Sequence, residues 1–440
     1  MRRLAVIAAA CGLLAACSDA SSIFGDSAPP PLPGKRISVL AHSQTLAPDV
    51  GNSTPIVLPA VESATDWPQA GGEPMHDPQR LALAGASLHQ VWSADLGAGG
   101  DKRRPYFSQP VVADGKVFAM DAANTVSAFR LSTGERLWRV DLTPDDVGDG
   151  SFGGGLAYDD GKLFATTGYA QVVAMDPAQG KVLWRHNLTA PAPGAPTVHG
   201  GRVLVITVDN EAKALSAEDG HELWHHNGMS EMAMMVGGSS AAVDGNTVLV
   251  PYTSGELFAL RIENGTVQWS EMVSSIRRTD QVAELTDIRG LPVVDHGKVY
   301  AAGNADIVAA IDLRTGRRIW DRDVGSIETP WVAGDYIYLI TNAPDLVCFE
   351  AASGKVRWVT SLEKWDDPKE KSGRILWSGP VLASDRLIVA ASDGKAISFS
   401  PYTGAKMSEQ ELPGGVRIAP IVADNTLLLV TTDARLLAYR

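Results

Sequence analysis

The chain has little cysteine. Three occur in 440 residues, Cys11, Cys17 and Cys348, too few for a disulfide framework. Cys348 sits in the apolar run Leu346-Val347-Cys348-Phe349 and reads as a small buried hydrophobe. A nucleophilic thiol needs a base and an orienting group, and the sequence points to neither. Basic clusters are equally scarce: only Lys102-Arg103-Arg104 exceeds two residues, and net charge is −13. A protein that holds nucleic acid by its phosphates needs the opposite sign, so that class is excluded. No His-Glu-x-x-His, Cys-x-x-Cys, Gly-x-Gly-x-x-Gly or Gly-Lys-Ser/Thr loop occurs. The nine histidines are scattered, with His225 and His226 adjacent but facing opposite ways along an extended segment. Turn formers, by contrast, are plentiful, with 43 glycines and 26 prolines.

Long apolar runs are also lacking. Leu4–Ala16 follows Arg2-Arg3 and is too short to span a bilayer comfortably, but it suits the apolar region of a signal peptide. It ends in Leu14-Ala15-Ala16-Cys17, which resembles a bacterial lipobox. That resemblance implies cleavage before Cys17 and lipidation of its sulfur. Ser18 after the cysteine is compatible with the outer membrane, and two or three acyl chains suffice for stable anchoring. Residues 1–16 are thus expected to be a signal peptide and 17–66 a flexible tether. The tether contains Pro29-Pro30-Pro31-Leu32-Pro33 and few aromatics. Ile56-Val57-Leu58 is the part expected to lie along the folded domain.

From Val91 onward the chain repeats. One signature is Gly-x-x-x-Trp, at Gly134 to Trp138, Gly180 to Trp184, Gly220 to Trp224, Gly265 to Trp269, Gly316 to Trp320 and Gly354 to Trp358. Gly404 to Ser408 is a degenerate copy. A second signature is an apolar run, a polar turn and another apolar run, opening at Pro110, Leu156, Pro196, Ser240, Pro292, Pro330, Pro380 and Pro420. These anchors lie about 44 residues apart on average. Each repeat holds four short β-like segments, first seen at Pro110–Val112, Val117–Met120, Val126–Arg130 and Leu137–Val140. Such a module cannot cover its own faces, whereas modules stacked radially cover each other.

The expected fold is all-β: an eight-bladed β-propeller of four-stranded antiparallel blades over residues 67–440. The last module has room for three strands. Leu88-His89-Gln90-Val91-Trp92 supplies the fourth, so an N-terminal strand completes the C-terminal blade and closes the ring. Leu88 stands where the turn glycine belongs. That fits a seam, because no hairpin turn is needed where the strand arrives from elsewhere. The repeated tryptophans are expected to fill the contacts between blades, with Ser408 marking a weaker one. Asp121, Asp176, Asp209 and Asp312 recur near strand ends and read as turn caps.

Function in such a fold sits where the repeat is broken. The longest interval, 52 residues from Ser240 to Pro292, carries extra chain at Ser274–Gly290. The next longest carries Glu363–Arg374, with Trp365 outside the repeat. Met229–Val236 concentrates four methionines, which suits either an adaptable partner surface or an inner strand.

The repeat, as in Val173-Ala174-Met175-Asp176…Gly180-Lys181-Val182-Leu183-Trp184, resembles that of the pyrroloquinoline-quinone-type propellers. Together with the lipobox and the insert of the fourth repeat, it is similar to the BamB-type lipoproteins of outer-membrane protein assembly. Trp67-Pro68-Gln69-Ala70-Gly71-Gly72 resembles the proteobacterial branch of these propellers. The resemblance implies a non-enzymatic scaffold without cofactor or metal. It also implies a place on the periplasmic face of the outer membrane, binding to the POTRA domains of BamA and to other subunits, and contact with unfolded outer-membrane protein segments. Two loops carry the family's contact. Leu285-Thr286-Asp287-Ile288-Arg289-Gly290 matches one motif, with Asp287 retained and Arg289 in place of an acid. Met232, Met234 and Met235 match the other, a leucine pair followed by arginine. A quinoprotein dehydrogenase and a scaffold for another envelope partner are the alternatives. Many of the dehydrogenases have adjacent cysteines beside a calcium-bound quinone, whereas this chain has no Cys-Cys pair and one internal cysteine.

Overall fold

The computed structural model describes residues 46–50, 54–83, 85, 87–100, 108–145, 153–231, 237–274, 285–305 and 307–440. Among them are eight four-stranded antiparallel sheets and one two-stranded hairpin. Blade one is Val111–Ala113, Lys116–Met120, Thr125–Arg130 and Arg136–Asp141. Blades two to six open with Gly154–Asp159, Thr197–His199, Ala242–Asp244, Val293–Asp295 and Trp331–Ala333 and repeat that order. Blade seven is Trp377–Ala383, Arg386–Ala391, Lys395–Phe399 and Lys406–Glu411. Blade eight takes Ile421–Ala423, Thr426–Val430 and Arg435–Tyr439, and its outer strand is Gln90–Asp95. Trp92 there faces Ala438. The propeller and its seam are therefore as expected.

Burial follows position within a blade. The inner strands are covered on both faces and read as near-continuous apolar runs, such as Val111-Val112-Ala113. Outer strands alternate, as in Arg136–Asp141, where Trp138 and Val140 turn inward between exposed charges, except for Lys406–Glu411, which is exposed throughout. The insert at 363–374 forms the hairpin, Trp365–Asp367 paired with Ser372–Arg374. Cys348 is fully buried, and burial pushes its thiol well above the usual range.

The tryptophans lock successive blades by one repeated contact. Each packs over the turn glycine of the next blade: a Cβ at Gly134 would lie 2.6 Å from the Trp92 ring, and one at Gly354 equally close to Trp320. Each of these glycines has φ near +70°, which an L side chain adopts only at a cost. Each indole N–H donates to the carbonyl three residues before that glycine. Examples are Trp92 to Leu131 at 2.9 Å, Trp224 to Ile262 at 2.8 Å and Trp358 to Pro401 at 3.0 Å. The glycine thus serves two needs, a tight turn and a flat seat for the neighbouring ring.

A strap from Ala64 to Leu81 crosses the hub and bonds to every blade in ring order. Ala64 accepts from Asp424 N of blade eight at 2.7 Å, and Trp67 exchanges two 2.8 Å bonds with Val112 of blade one. Pro68 accepts from Tyr158 N of blade two at 2.7 Å. The Gln69 carboxamide accepts from Val198 N and donates to Val198 O of blade three, at 2.9 and 3.2 Å. Pro74 and Met75 accept from Val243 N and Val294 N of blades four and five. Gln79 accepts from the Trp331 indole and Gly334 N of blade six, and Leu81 pairs with Leu382 and Ser384 of blade seven. Before the strap, Ile56 and Leu58 pack on the core while Val57 is exposed. Residues 54–66, expected within the tether, therefore lie along the propeller.

Candidate functional site

The described ends of the loops that enter blades four and five, 237–241 and 285–292, lie side by side at one rim of the channel. The described part of the longer one, 285–290, is held on both sides. Asn304 N donates to Asp287 O at 2.9 Å, and its side-chain amide donates to Leu285 O at 2.8 Å. The Thr286 hydroxyl donates to Thr253 O at 3.2 Å, and Ser239 Oγ donates to Gly290 O at 3.1 Å. Gly237 gives Arg289 its room, because a Cβ there would meet the guanidinium at 2.8 Å. Asn210 Nδ2 donates to Met229 O at 2.6 Å and fixes the start of the neighbouring loop.

The five residues expected to carry the partner contact fare differently. Asp287 is 3% exposed, so its carboxylate acts inside the loop. Arg289 is partly buried and lines the channel mouth. Met232, Met234 and Met235 lie outside the described residues, as does Cys17. The flanks of the methionine cluster, Glu231 and Gly237, are described, and Gly237 is the residue beside Arg289.

Sequence reasoning did not foresee what closes the channel. The strap floors it, and above that floor is a cavity of about 150 Å³ lined by Trp67, His76, Gln109, Arg289, Glu328 and Arg417 among others. Trp67 stacks with Trp331, ring centroids 6.4 Å apart and planes 17° from parallel. His76 Nδ1 lies 2.8 Å from Pro292 O. Burial pushes the His76 imidazole down to about 4 despite that bond, which favours the charged form. Burial pushes Glu328 up to about 7, opposed by the Arg289 guanidinium. Asp77 rises to about 8, chiefly by burial and further by Asp295 and Glu73. The spacing of Trp67 to Leu81 is not that of a repeat, and no signal in it announces eight successive blade contacts.

Among the described residues the channel cavity offers a single carboxylate, Glu328. Among the described residues no three His, Cys, Asp or Glu side chains converge as a metal site. Among the described residues the charged groups lining that cavity are Arg289, Glu328 and Arg417. The recurring aspartates are spent on turns. Asp121 accepts from Ala123 N and Thr125 N, both at 2.9 Å, and Asp312 accepts from Thr315 N at 2.8 Å.

These features define an eight-bladed β-propeller with a strapped hub and two rim loops. A family model described as outer membrane protein assembly factor BamB matches residues 77–147, 122–360 and 361–440. The chain belongs to that family. The BamB protein of Yersinia pestis is 27% identical over 359 residues, covering 80% of this chain and 88% of its own. The crystal structure of BamB from Moraxella catarrhalis superposes with a TM-score of 0.68 at 20% identity, over 80% of this chain and all of that one. The quinohemoprotein alcohol dehydrogenase of Comamonas testosteroni superposes with a TM-score of 0.63 at 15% identity, over 85% of this chain and 80% of that one. At such identities the two structures attest the fold alone.

Proposed function

We propose that the chain is a non-enzymatic scaffold of outer-membrane protein assembly. It is anchored through a lipidated Cys17 to the periplasmic face of the outer membrane, residues 1–16 being removed. Its partner surface is the pair of rim loops, which binds the POTRA domains of BamA and so supports insertion of outer-membrane proteins. The observation that carries this reading is the family match over both halves of the ring, joined to the adjacency of the two loops. Met232, Met234 and Met235 supply an adaptable apolar contact and Arg289 a cation. Asp287, being enclosed, holds the shape of its loop.

The test is a pull-down from solubilised envelopes with the acylated chain as bait. Arg289→Glu is combined with Met234→Asp, Asp287 is left in place, and circular dichroism checks that the double variant is folded. Recovery of BamA with the parent chain and its loss with the double variant supports partner and surface together. Absence of BamA from both removes the reading, and equal recovery moves the contact elsewhere on the propeller.

A further inference from the structure

Seven of the eight gaps between blades are closed by tryptophan on glycine. The gap between blades seven and eight is not. Ser408 holds the tryptophan position, because Ile388, Ser398 and Ser408 pair in one row as Phe118, Ala128 and Trp138 do in blade one. The middle residue of that row is alanine or cysteine in the other seven blades, as with Ala174, Ala310 and Cys348. Blade seven therefore lacks the indole and has a hydroxyl where the small apolar residue stood. Leu88, four residues before Trp92, holds the glycine position.

A cavity of about 170 Å³ occupies this place, lined by Ile388, Ser398, Ser408 and Leu88. Its wall on blade eight is Leu427, Leu429 and Tyr439. By strand register these are the counterparts of Val117, Ala119 and Phe129 in blade one. Those three share an apolar cluster with Trp92, the indole seated at the next gap. Leu88 covers part of the place and leaves the rest open. An apolar cavity of about 150 Å³ admits a benzene ring, so this one has the volume for most of an indole, and the remainder reaches the rim. Arg386, 6% exposed, also lines the cavity, and a guanidinium near an aromatic face adds a cation–π attraction.

We propose that this gap is a recognition slot for a tryptophan side chain carried by another polypeptide. The occupant is specified by the seven sister gaps, which all hold that side chain. A polypeptide source follows from the slot's surroundings. Its rim residues Ser87, His89, Glu409 and Gln410 are polar and exposed. Beside it Lys406–Glu411 is the exposed edge strand of blade seven, with backbone groups open to an extended segment. The slot lies away from the rim loops, so the proposal stands apart from the assembly reading.

The test is saturation-transfer NMR with the full chain and the probe acetyl-Thr-Val-Trp-Val-Thr-amide. The same peptide with alanine for tryptophan and free indole are the comparisons. Transfer to the indole protons is expected from the tryptophan peptide and not from the alanine peptide. Ser408→Trp fills the slot and should weaken binding at least tenfold. Leu88→Gly opens it and should tighten binding. If Ser408→Trp does not fold, Ser398→Phe fills the same space from the adjoining strand and carries the same expectation. No transfer from the tryptophan peptide, equal transfer from the alanine peptide, or undiminished binding in the filled variant each overturns the proposal. Free indole binding as tightly as the peptide overturns the polypeptide source.

Discussion

Trp320→Ala tests whether the propeller is held by its tryptophan ladder. Trp320 is 8% exposed, and its N–H donates to Ala351 O at 2.9 Å. Its ring lies over Gly354 and 6.3 Å from the Tyr300 ring. Truncation removes a large buried aromatic and leaves a cavity, a loss of about 3–5 kcal/mol. The Ala351 carbonyl keeps a second donor, the Tyr300 hydroxyl at 3.3 Å, so no orphaned acceptor adds to that figure. Trp320→Phe keeps most of the area and loses the N–H bond, about 1 kcal/mol plus some packing. Gly354→Ala places a Cβ 2.6 Å from the ring at φ +67°, costing about 1–2 kcal/mol for the backbone alone and more for the clash. With Trp320 already alanine the clash disappears, so the double variant should cost less than the two single changes together. Urea unfolding followed by far-UV circular dichroism reads the parent and all four variants. A loss below about 1 kcal/mol for Trp320→Ala, or strict additivity in the cycle, would refute the interblade role.

Two further outcomes concern the hub. Gln69→Ala leaves Val198 N and O without their strap partner in a dry setting, and should cost about 1–3 kcal/mol while raising protease sensitivity around 64–83. Glu328 is raised from 4.5 to about 7 by burial, so between those values the folded state binds more protons than the unfolded chain and stability falls as pH rises. The stabilising effect is full below about 4.5 and gone above about 7. Glu328→Gln should therefore match the parent near the acid end and exceed it in melting temperature at pH 8. A parent-to-variant difference that does not change across that window contradicts the assigned burial.

The ring was legible because its two strongest signals answer to different physical needs that coincide. Gly-x-x-x-Trp records a positive-φ turn and, on the strand leaving it, an indole for the next blade's glycine. The reading frame is thus set by a contact between repeats. Leu88 and Ser408, the two departures, fall on opposite sides of one gap, and only the structure shows that they face each other. Alone, Leu88 reads as a seam that needs no turn glycine, and Ser408 as a weaker contact. Together they remove both halves of one joint and leave a cavity lined by residues whose counterparts hold an indole elsewhere.

The hub was illegible for the converse reason. Six of the eight blades meet the strap chiefly through backbone groups, as at Trp67 with Val112 and Leu81 with Ser384, and backbone bonding leaves no periodic trace in side-chain types. Gln69 is the telling exception, since its carboxamide takes both bonding groups of Val198 as a strand would. Nor does a sequence match say which members of a motif face outward. Asp287 is enclosed, whereas Arg289, two residues on, reaches the channel mouth. A carboxylate inside a loop is kept by the loop's own geometry whatever the partner, while a charge at the rim is free to follow the surface it meets.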